Sequence, residues 1–241
     1  MTSRQDNNVA VVSGASSGIG RAIAQHLLGQ GSTVYLLGRN LERLQEVAAN
    51  HGHLARICQI DLSVDEELMR LRDLVQKDCG GVDLLIHCAG IILLGTLSEA
   101  RVDDFDQQYR INVRSPWLLT QLLLPMLKSR SGQIVFMNAT VSLTPPRMGV
   151  GQYGASKHTL KAISDSCRME LNRDGIRVLT MFLGRTATAM QQTICEREGH
   201  HYQPERLMQP EDVVNMTMAA INLPRSAEVT EITMRPMLKT Y

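Results

Sequence analysis

The sequence lacks an excess of charge of either sign. Its 241 residues include 25 Lys and Arg against 24 Asp and Glu, which leaves a formal net charge of +1. Proteins whose main partner is nucleic acid or an anionic membrane usually carry a marked positive surplus. The balance therefore argues against both as the main partner.

Long apolar runs and a cysteine framework are lacking too. No apolar run reaches the length of a membrane span. The N-terminal stretch MTSRQDNN is polar, without the apolar core of a signal peptide. The five cysteines are odd in number, and none forms a CxxC pair. These absences predict a cytoplasmic protein in a reducing compartment, with no membrane association and no disulfide framework.

What the sequence does contain is an alternation of short apolar runs with segments of helical spacing. The predicted strands are residues 9–12, 33–38, 56–61, 82–87, 133–138, 177–182 and 228–234. With no repeat or low-complexity linker between them, residues 1–241 are predicted to form one α/β domain. Its sheet is expected to be parallel, doubly wound and seven-stranded, with helices on both faces and a ligand beyond the carboxyl ends of the strands.

A glycine-rich turn, SGASSGIG, follows the first predicted strand and opens the first helix. Gly14, Gly18 and Gly20 allow a tight turn and a close approach of a pyrophosphate to the backbone. The free N–H groups of a helix N-terminus attract such an anion. The alternative is a turn that holds no ligand.

Five motifs occur in order along the chain: SGASSGIG, HCAG at 87–90, Asn112, YGASK at 153–157 and LGRTAT at 183–188. This series, between Val9 and Pro236, resembles that of the short-chain dehydrogenases/reductases. The resemblance implies a single Rossmann-fold domain that transfers hydride between a small alcohol or ketone and NAD(H) or NADP(H). It also implies a homo-oligomer, either a dimer or a tetramer.

The residues after the second strand indicate which nucleotide binds. Gly38 takes the place of an acidic residue that would repel a 2′-phosphate, and the guanidinium of Arg39 follows. We therefore expect NADP(H), unless Arg39 is only a solvated surface charge. The residues expected at the cofactor are Gly14, Ser16, Ser17, Gly18, Ile19, Gly20, Arg39, Asp61, Leu62, Cys88, Ala89, Gly90, Tyr153, Lys157, Gly184, Thr186 and Thr188.

Two of these cofactor residues have a structural alternative. Asp61 and Leu62 resemble the family's adenine-contacting pair, but Asp61 could instead cap a helix that starts near Ser63. Thr188 could be a surface hydroxyl rather than a support for the nicotinamide.

Tyr153 and Lys157 are four residues apart in a segment of helical spacing and so share one helix face. A lysine cation beside a tyrosine favours the phenolate and lowers the pKa of the phenol. Tyr153 is therefore expected to act as general acid and base, while Lys157 also suits the ribose hydroxyls of the nicotinamide. The resemblance implies that Asn112 kinks a long helix and holds a water in the proton relay; a capping or turn asparagine is the alternative.

The hydroxyl that the family places beside this tyrosine is not evident. Counting forward from Gly132 puts its serine at Ala139, and counting backward from Tyr153 puts it at Thr140. One extra residue, expected near 144–149, accounts for the difference. Thr140 is the expected donor, with Ser142, or no replacement at all, left open.

Several remaining features depart from the family pattern or add to it. His87 and Cys88 stand where asparagines are usual and are expected to be structural, and Leu183 stands where proline is usual. Residues 189–209 are polar and irregular, as in the family's substrate lid, and His200 and His201 are expected to be solvated rather than to bind metal. The tail at 229–236 resembles a subgroup that oxidises hydroxy acids or serine. The competing hypothesis is a catalytically impaired Rossmann protein that binds NADP(H) in a regulatory or structural role.

Overall fold

The computed structural model describes residues 8–145 and 147–238. The polar N-terminal stretch therefore lies, all but Asn8, outside the described residues, and so does Pro146, within the segment expected to hold the extra residue.

Seven strands form one sheet in which every neighbouring pair is parallel. Their order across the sheet is β3-β2-β1-β4-β5-β6-β7. The strands are β1 Val9–Ser13, β2 Thr33–Gly38, β3 Ala55–Gln59, β4 Leu84–His87, β5 Gln133–Ala139, β6 Arg177–Leu183 and β7 Glu231–Met234. The predicted seven-stranded, doubly wound α/β fold is thus confirmed.

Eight α-helices connect the strands of the described chain. They are α1 Gly18–Gly29, α2 Leu41–Ala48, α3 Asp65–Asp78, α4 Val102–Tyr109, α5 Ser115–Arg130, α6 Gly151–Leu171, α7 Ala189–Arg197 and α8 Pro210–Ile221. A π-helical segment, Arg110–Arg114, joins α4 to α5.

The helices cover the sheet in two layers, as strand side chains that alternate between faces require. Ala10 and Val12 of β1 pack with Ile23 of α1 and Val213 of α8 on one face. Val11 packs on the other face with apolar side chains of α3, α5 and α6, namely Leu68, Leu119 and Leu160. Both faces of the central strands are buried, which explains their continuous apolar sequences.

Several predicted boundaries are corrected by the structure; the fourth strand begins at Leu84 rather than residue 82, and the seventh at Glu231 rather than residue 228. The third strand ends at Gln59 rather than Asp61, because the carboxylate of Asp61 accepts a hydrogen bond from the amide of Ser63 and turns the chain. The predicted lid at 189–209 is not irregular throughout, since helix α7 forms its first half. The hydroxyl of Thr188 accepts a hydrogen bond from the amide of Gln191 at the N-cap of this helix.

None of the helices within the described ranges is long and apolar enough to span a membrane.

Candidate active site

A cavity of about 350 Å³ lies beyond the carboxyl ends of the strands, where an open parallel sheet binds its ligands. Every residue that the sequence predicted at the cofactor, from Gly14 to Thr188, lines this cavity. The two other predicted site residues, Asn112 and Thr140, are not among the described residues that form its wall.

The glycine turn has the geometry that a pyrophosphate needs. Gly14 and Gly18 have φ values of +70° and +53°, in the region that favours glycine. A Cβ at Gly20 would lie 2.3 Å from the carbonyl oxygen of Gly14, so only glycine fits the close contact between turn and helix. The side chain of Ser17, the N-cap of α1, makes no capping hydrogen bond to the first turn. The N-terminus of α1 can therefore offer its amides to an anion.

Arg39 and Asp61 lie together at the end of the cavity that β2 and β3 form. Burial works to raise the pKa of the Asp61 carboxyl. Hydrogen bonds from Ser63 and the nearby charges of Arg39 and Arg110 outweigh it, so the pKa lies below its usual value. Both uses considered for Asp61 are compatible with this position, since it lines the cavity and also caps the turn before α3.

Tyr153 and Lys157 both lie on α6 and both line the cavity. The Nζ atom of Lys157 lies 5.9 Å from the centre of the Tyr153 ring and donates a hydrogen bond to the carbonyl of Met137 at 3.0 Å. The amide of Asn138 donates to the carbonyl of Lys157 at 3.1 Å. These two bonds fix the end of β5 against α6, which holds the pair at the cavity.

The ionisation of this pair differs from the sequence-based expectation. Burial raises the pKa of the Tyr153 phenol above its ordinary value, whereas proximity to Lys157 was expected to lower it. Burial also lowers the pKa of Lys157 to about 8, although the neighbouring Cys88 thiol acts in the opposite direction. The physical reason is that both groups are withdrawn from water, which penalises their charged forms.

Asn112 occupies the π-helical segment and is fully buried. Its side chain accepts from the amide of Ile91 at 2.8 Å and donates to the carbonyl of Ile91 at 2.9 Å. It also donates to the hydroxyl of Ser156 at 3.0 Å, which in turn donates to the carbonyl of Tyr153 at 2.8 Å. Asn112 thus ties the loop after β4 to the helix that carries the tyrosine.

Of the two positions that counting allows for the family's serine, Ala139 and Thr140, Ala139 is the one among the described residues that line the cavity. It is the last paired residue of β5. Thr140 begins a short 3₁₀ turn, and the buried hydroxyl of Ser142 donates to the carbonyl of Ala139 at 2.7 Å. The positions of Thr140 and Ser142 therefore give no support to either as the missing hydroxyl donor.

His87 and Cys88 occupy the end of β4 in different ways. His87 is buried, lies 2.9 Å from the Thr120 hydroxyl and stacks on Phe136, and burial lowers its pKa to about 3. Burial raises the pKa of the Cys88 thiol to about 12, which disfavours a reactive thiolate. All five cysteines are free, as expected from their spacing.

Two residues that the sequence did not single out organise the site. The Ser13 hydroxyl accepts from the amides of Cys88 and Ala89, which holds the HCAG loop against β1. Ser156 links Asn112 to Tyr153. It lies within the YGASK motif, in which the sequence indicated roles for Tyr153 and Lys157 only. The described residues, which include His200 and His201, contain no group of three or more His, Cys, Asp or Glu that could hold a metal ion.

Comparison with known proteins identifies the same family that the sequence motifs resemble. The sequence profile described as short chain dehydrogenase matches residues 8–199. An uncharacterised oxidoreductase of Staphylococcus epidermidis is 32% identical over 230 residues, covering 95% of this chain and 97% of that protein.

Two solved structures have the same fold along nearly the whole chain. A variant of actinorhodin polyketide ketoreductase, determined with NADPH, is 25% identical with a TM-score of 0.88 and covers 100% of both chains. A metagenomic short-chain oxidoreductase in complex with NADP is 26% identical with a TM-score of 0.82, covering 97% of this chain and 98% of that one. The profile match and the identity to the staphylococcal protein together show that the chain belongs to the short-chain dehydrogenase family.

Proposed function

We propose that this protein is an NADP(H)-dependent oxidoreductase that interconverts a small alcohol or hydroxy acid and its ketone. The observation that carries the proposal is the arrangement of one cavity. Tyr153 and Lys157 line it where β5 meets α6, and the uncapped N-terminus of α1 lines the same cavity. A proton donor and an anion site joined in this way suit hydride transfer to or from a nicotinamide nucleotide.

The nucleotide in this proposal is NADP(H), which supplies or accepts the hydride when bound. The turn from Gly14 to Gly20 would hold the pyrophosphate, and Arg39 would face the 2′-phosphate. The choice of NADP(H) is supported by Gly38, which has no acidic side chain that would repel the 2′-phosphate. The space there is narrow, since an added Cβ would lie 3.2 Å from the Ser16 hydroxyl. Two similar structures, described above, were determined with NADPH or NADP.

The remaining chemistry falls to side chains of this chain. Tyr153 donates its proton to the carbonyl oxygen of the substrate during reduction and takes it back during oxidation. A raised pKa keeps the phenol protonated near neutral pH, which favours its role as the acid in reduction. Lys157 would hold the ribose hydroxyls of the nucleotide. Asn112 positions the loop after β4 and helix α6, between which it lies. Thr140 stays a prediction without positional support.

A second candidate function is nucleotide binding without turnover. The observation that favours it is Ala139, whose methyl group cannot donate a hydrogen bond to a developing oxyanion.

We further propose that residues 189–209 cover the substrate, and that the protein is a cytoplasmic homo-oligomer, either a dimer or a tetramer.

Two measurements test the proposed function. The first is the Kd for NADPH and for NADH, in wild type and in Arg39→Ala. We expect wild type to prefer NADPH, and the variant to lose roughly tenfold or more of that preference, because a guanidinium–phosphate pair is lost. A preference of the wild type for NADH would contradict the assignment of Arg39.

The second measurement is NADPH consumption over a panel of ketones, in wild type and in Tyr153→Phe. We expect the substitution to lower kcat by roughly a thousand-fold, with the Kd for NADPH nearly unchanged, since only the transferable proton is lost. Tyr109→Phe is the matched control, because Tyr109 is exposed, stacks on Phe105 and does not line the cavity. Near-normal turnover in Tyr153→Phe would remove Tyr153 from the mechanism.

A further inference from the structure

The wall of the cavity changes character between its two ends. Its charged lining residues, within the described chain, are Arg39, Asp61 and Lys157. Arg39 follows β2, and three strand spacings separate β2 from β5. At about 4.8 Å each, these spacings place Arg39 roughly 14 Å from the end of β5. Arg39 and Asp61 therefore belong to the nucleotide end, and only Lys157 is charged beside Tyr153.

The part of the cavity away from Arg39 and Asp61 has walls that, among the described residues, carry no charge apart from Lys157. Apolar lining residues there are Ile91 after β4, Ala139 at the end of β5, Leu183 at the end of β6, and Met190 and Ile194 on α7, while Gln107 on α4 and Gln191 on α7 are polar but uncharged. The polar side chain of Asn138 makes its hydrogen bonds with the backbone, since it donates to the carbonyl of Lys157 and accepts from the amide of Ala139. We call this part of the cavity the reaction end.

Two cations in the segments that line the cavity, Lys157 and Arg185, have other partners. Lys157 is buried and donates to the carbonyl of Met137, and in the proposed function it also holds the ribose. Arg185 lies between Gly184 and Thr186, which both line the cavity, but its guanidinium pairs with Glu198 at 2.5 Å. A carboxylate bound against Ile91, Ala139 and Leu183 would lose its hydration without gaining a dedicated cation, which is strongly unfavourable.

From this distribution we infer that the substrate is an uncharged ketone or secondary alcohol with apolar groups beside the reacting carbon. Of the substrates allowed by the proposed function, the same argument disfavours the hydroxy acids, and with them the serine that the tail at 229–236 suggested. The inference rests on the proposed function and narrows it to one substrate class.

The test compares two ligands of the same skeleton that differ in charge, acetoacetate and methyl acetoacetate. Each is titrated calorimetrically into wild type saturated with NADP⁺, where no hydride is available and the ketone cannot be reduced. The same titrations without nucleotide keep the charge comparison independent of the cofactor. We expect the ester to bind roughly tenfold or more tightly than the acid. Equal or tighter binding of acetoacetate, or no binding of the ester, would overturn the inference.

Met190→Arg adds a cation to the reaction end at a side chain that is 40% exposed, so the longer residue can be accommodated. We expect it to shift the binding ratio toward acetoacetate by roughly tenfold. Met216→Arg is the matched control, since Met216 on α8 is 42% exposed and does not line the cavity. A shift of the same size in the control, or none in Met190→Arg, would count against an uncharged reaction end.

These titrations separate the two proposals. Preferential binding of the ester without any turnover in the presence of NADPH would contradict the proposed function and leave the electrostatic inference standing. Turnover of acetoacetate at the rate of its ester would support the proposed function and contradict the inference that the substrate is uncharged.

Discussion

Ala139 lines the cavity at one of the two positions that counting allows for the family's serine. The sequence left the choice between positions 139 and 140 open. The structure favours position 139 as the place for a hydroxyl, because β5 stays paired with β6 through Ala139 and Leu183 and Ala139 lines the cavity. Counting along a sequence cannot place the extra residue that is expected in the following loop.

Adding a hydroxyl at this position should therefore increase activity. We expect Ala139→Ser to raise kcat roughly tenfold or more, since one donor to a developing oxyanion contributes substantially to the rate. Thr140→Val should stay within about threefold of wild type, because its side chain does not line the cavity. Steady-state kinetics on both variants decide the question. A fall of roughly ten- to a thousand-fold in Thr140→Val would instead identify Thr140 as the donor.

His87 gives the protein a pH-dependent stability. Its pKa is lowered by burial from 6.5 to about 3, so between these values the unfolded state binds more protons. The contribution of this group to stability is therefore present above pH 6.5 and is lost as the pH falls toward 3.

Between pH 6.5 and 5, wild type should lose about 2 kcal/mol more unfolding free energy than His87→Asn. Urea denaturation at a series of pH values measures this difference. The same substitution at the exposed His53 controls for the loss of an imidazole. Parallel pH profiles for wild type and His87→Asn would contradict the assignment of a neutral, buried imidazole.

At the scale of elements, the strands were predictable because they bury continuous apolar sequence, and helices such as α1 and α6 because their apolar residues recur at helical spacing. Helix α7 was not, because it buries only Gln191 and Cys195 among polar neighbours and so shows no apolar period. The π-helical segment likewise has no periodic signature. It contains buried Asn112, whose tertiary contact is a set of hydrogen bonds with Ile91 and Ser156.

Removing that contact should affect the whole region around Tyr153. We expect Asn112→Ala to lower the free energy of unfolding by about 2–4 kcal/mol, since the amide and carbonyl of Ile91 would lose their partner. Turnover should fall as well. Urea denaturation and kinetics measure the two effects, with Asn222→Ala at the exposed C-cap of α8 as the control. A loss of less than about 1 kcal/mol would show that Asn112 does not hold the loop.

At the scale of the whole molecule, the sheet order brings together segments that are far apart in the sequence. The residues expected at the cofactor were predictable because each lies in a short motif next to a strand end. The grouping of Ile91, Ala139, Leu183 and Ile194 in one wall was not, since these residues are far apart in the sequence and no single motif joins them. The homo-oligomer that the family resemblance implies stays a prediction.

The central claim is that this cavity transfers hydride between NADPH and a neutral carbonyl compound with Tyr153 as the acid. The most direct measurement uses NADPH deuterated at the reactive nicotinamide carbon and follows the label into the alcohol product by mass spectrometry. We predict that wild type places deuterium on the carbinol carbon of reduced methyl acetoacetate, and that Tyr153→Phe forms this product roughly a thousand-fold more slowly. Tight NADPH binding with no labelled product from any ketone tested would contradict the account and favour a nucleotide-binding protein without turnover.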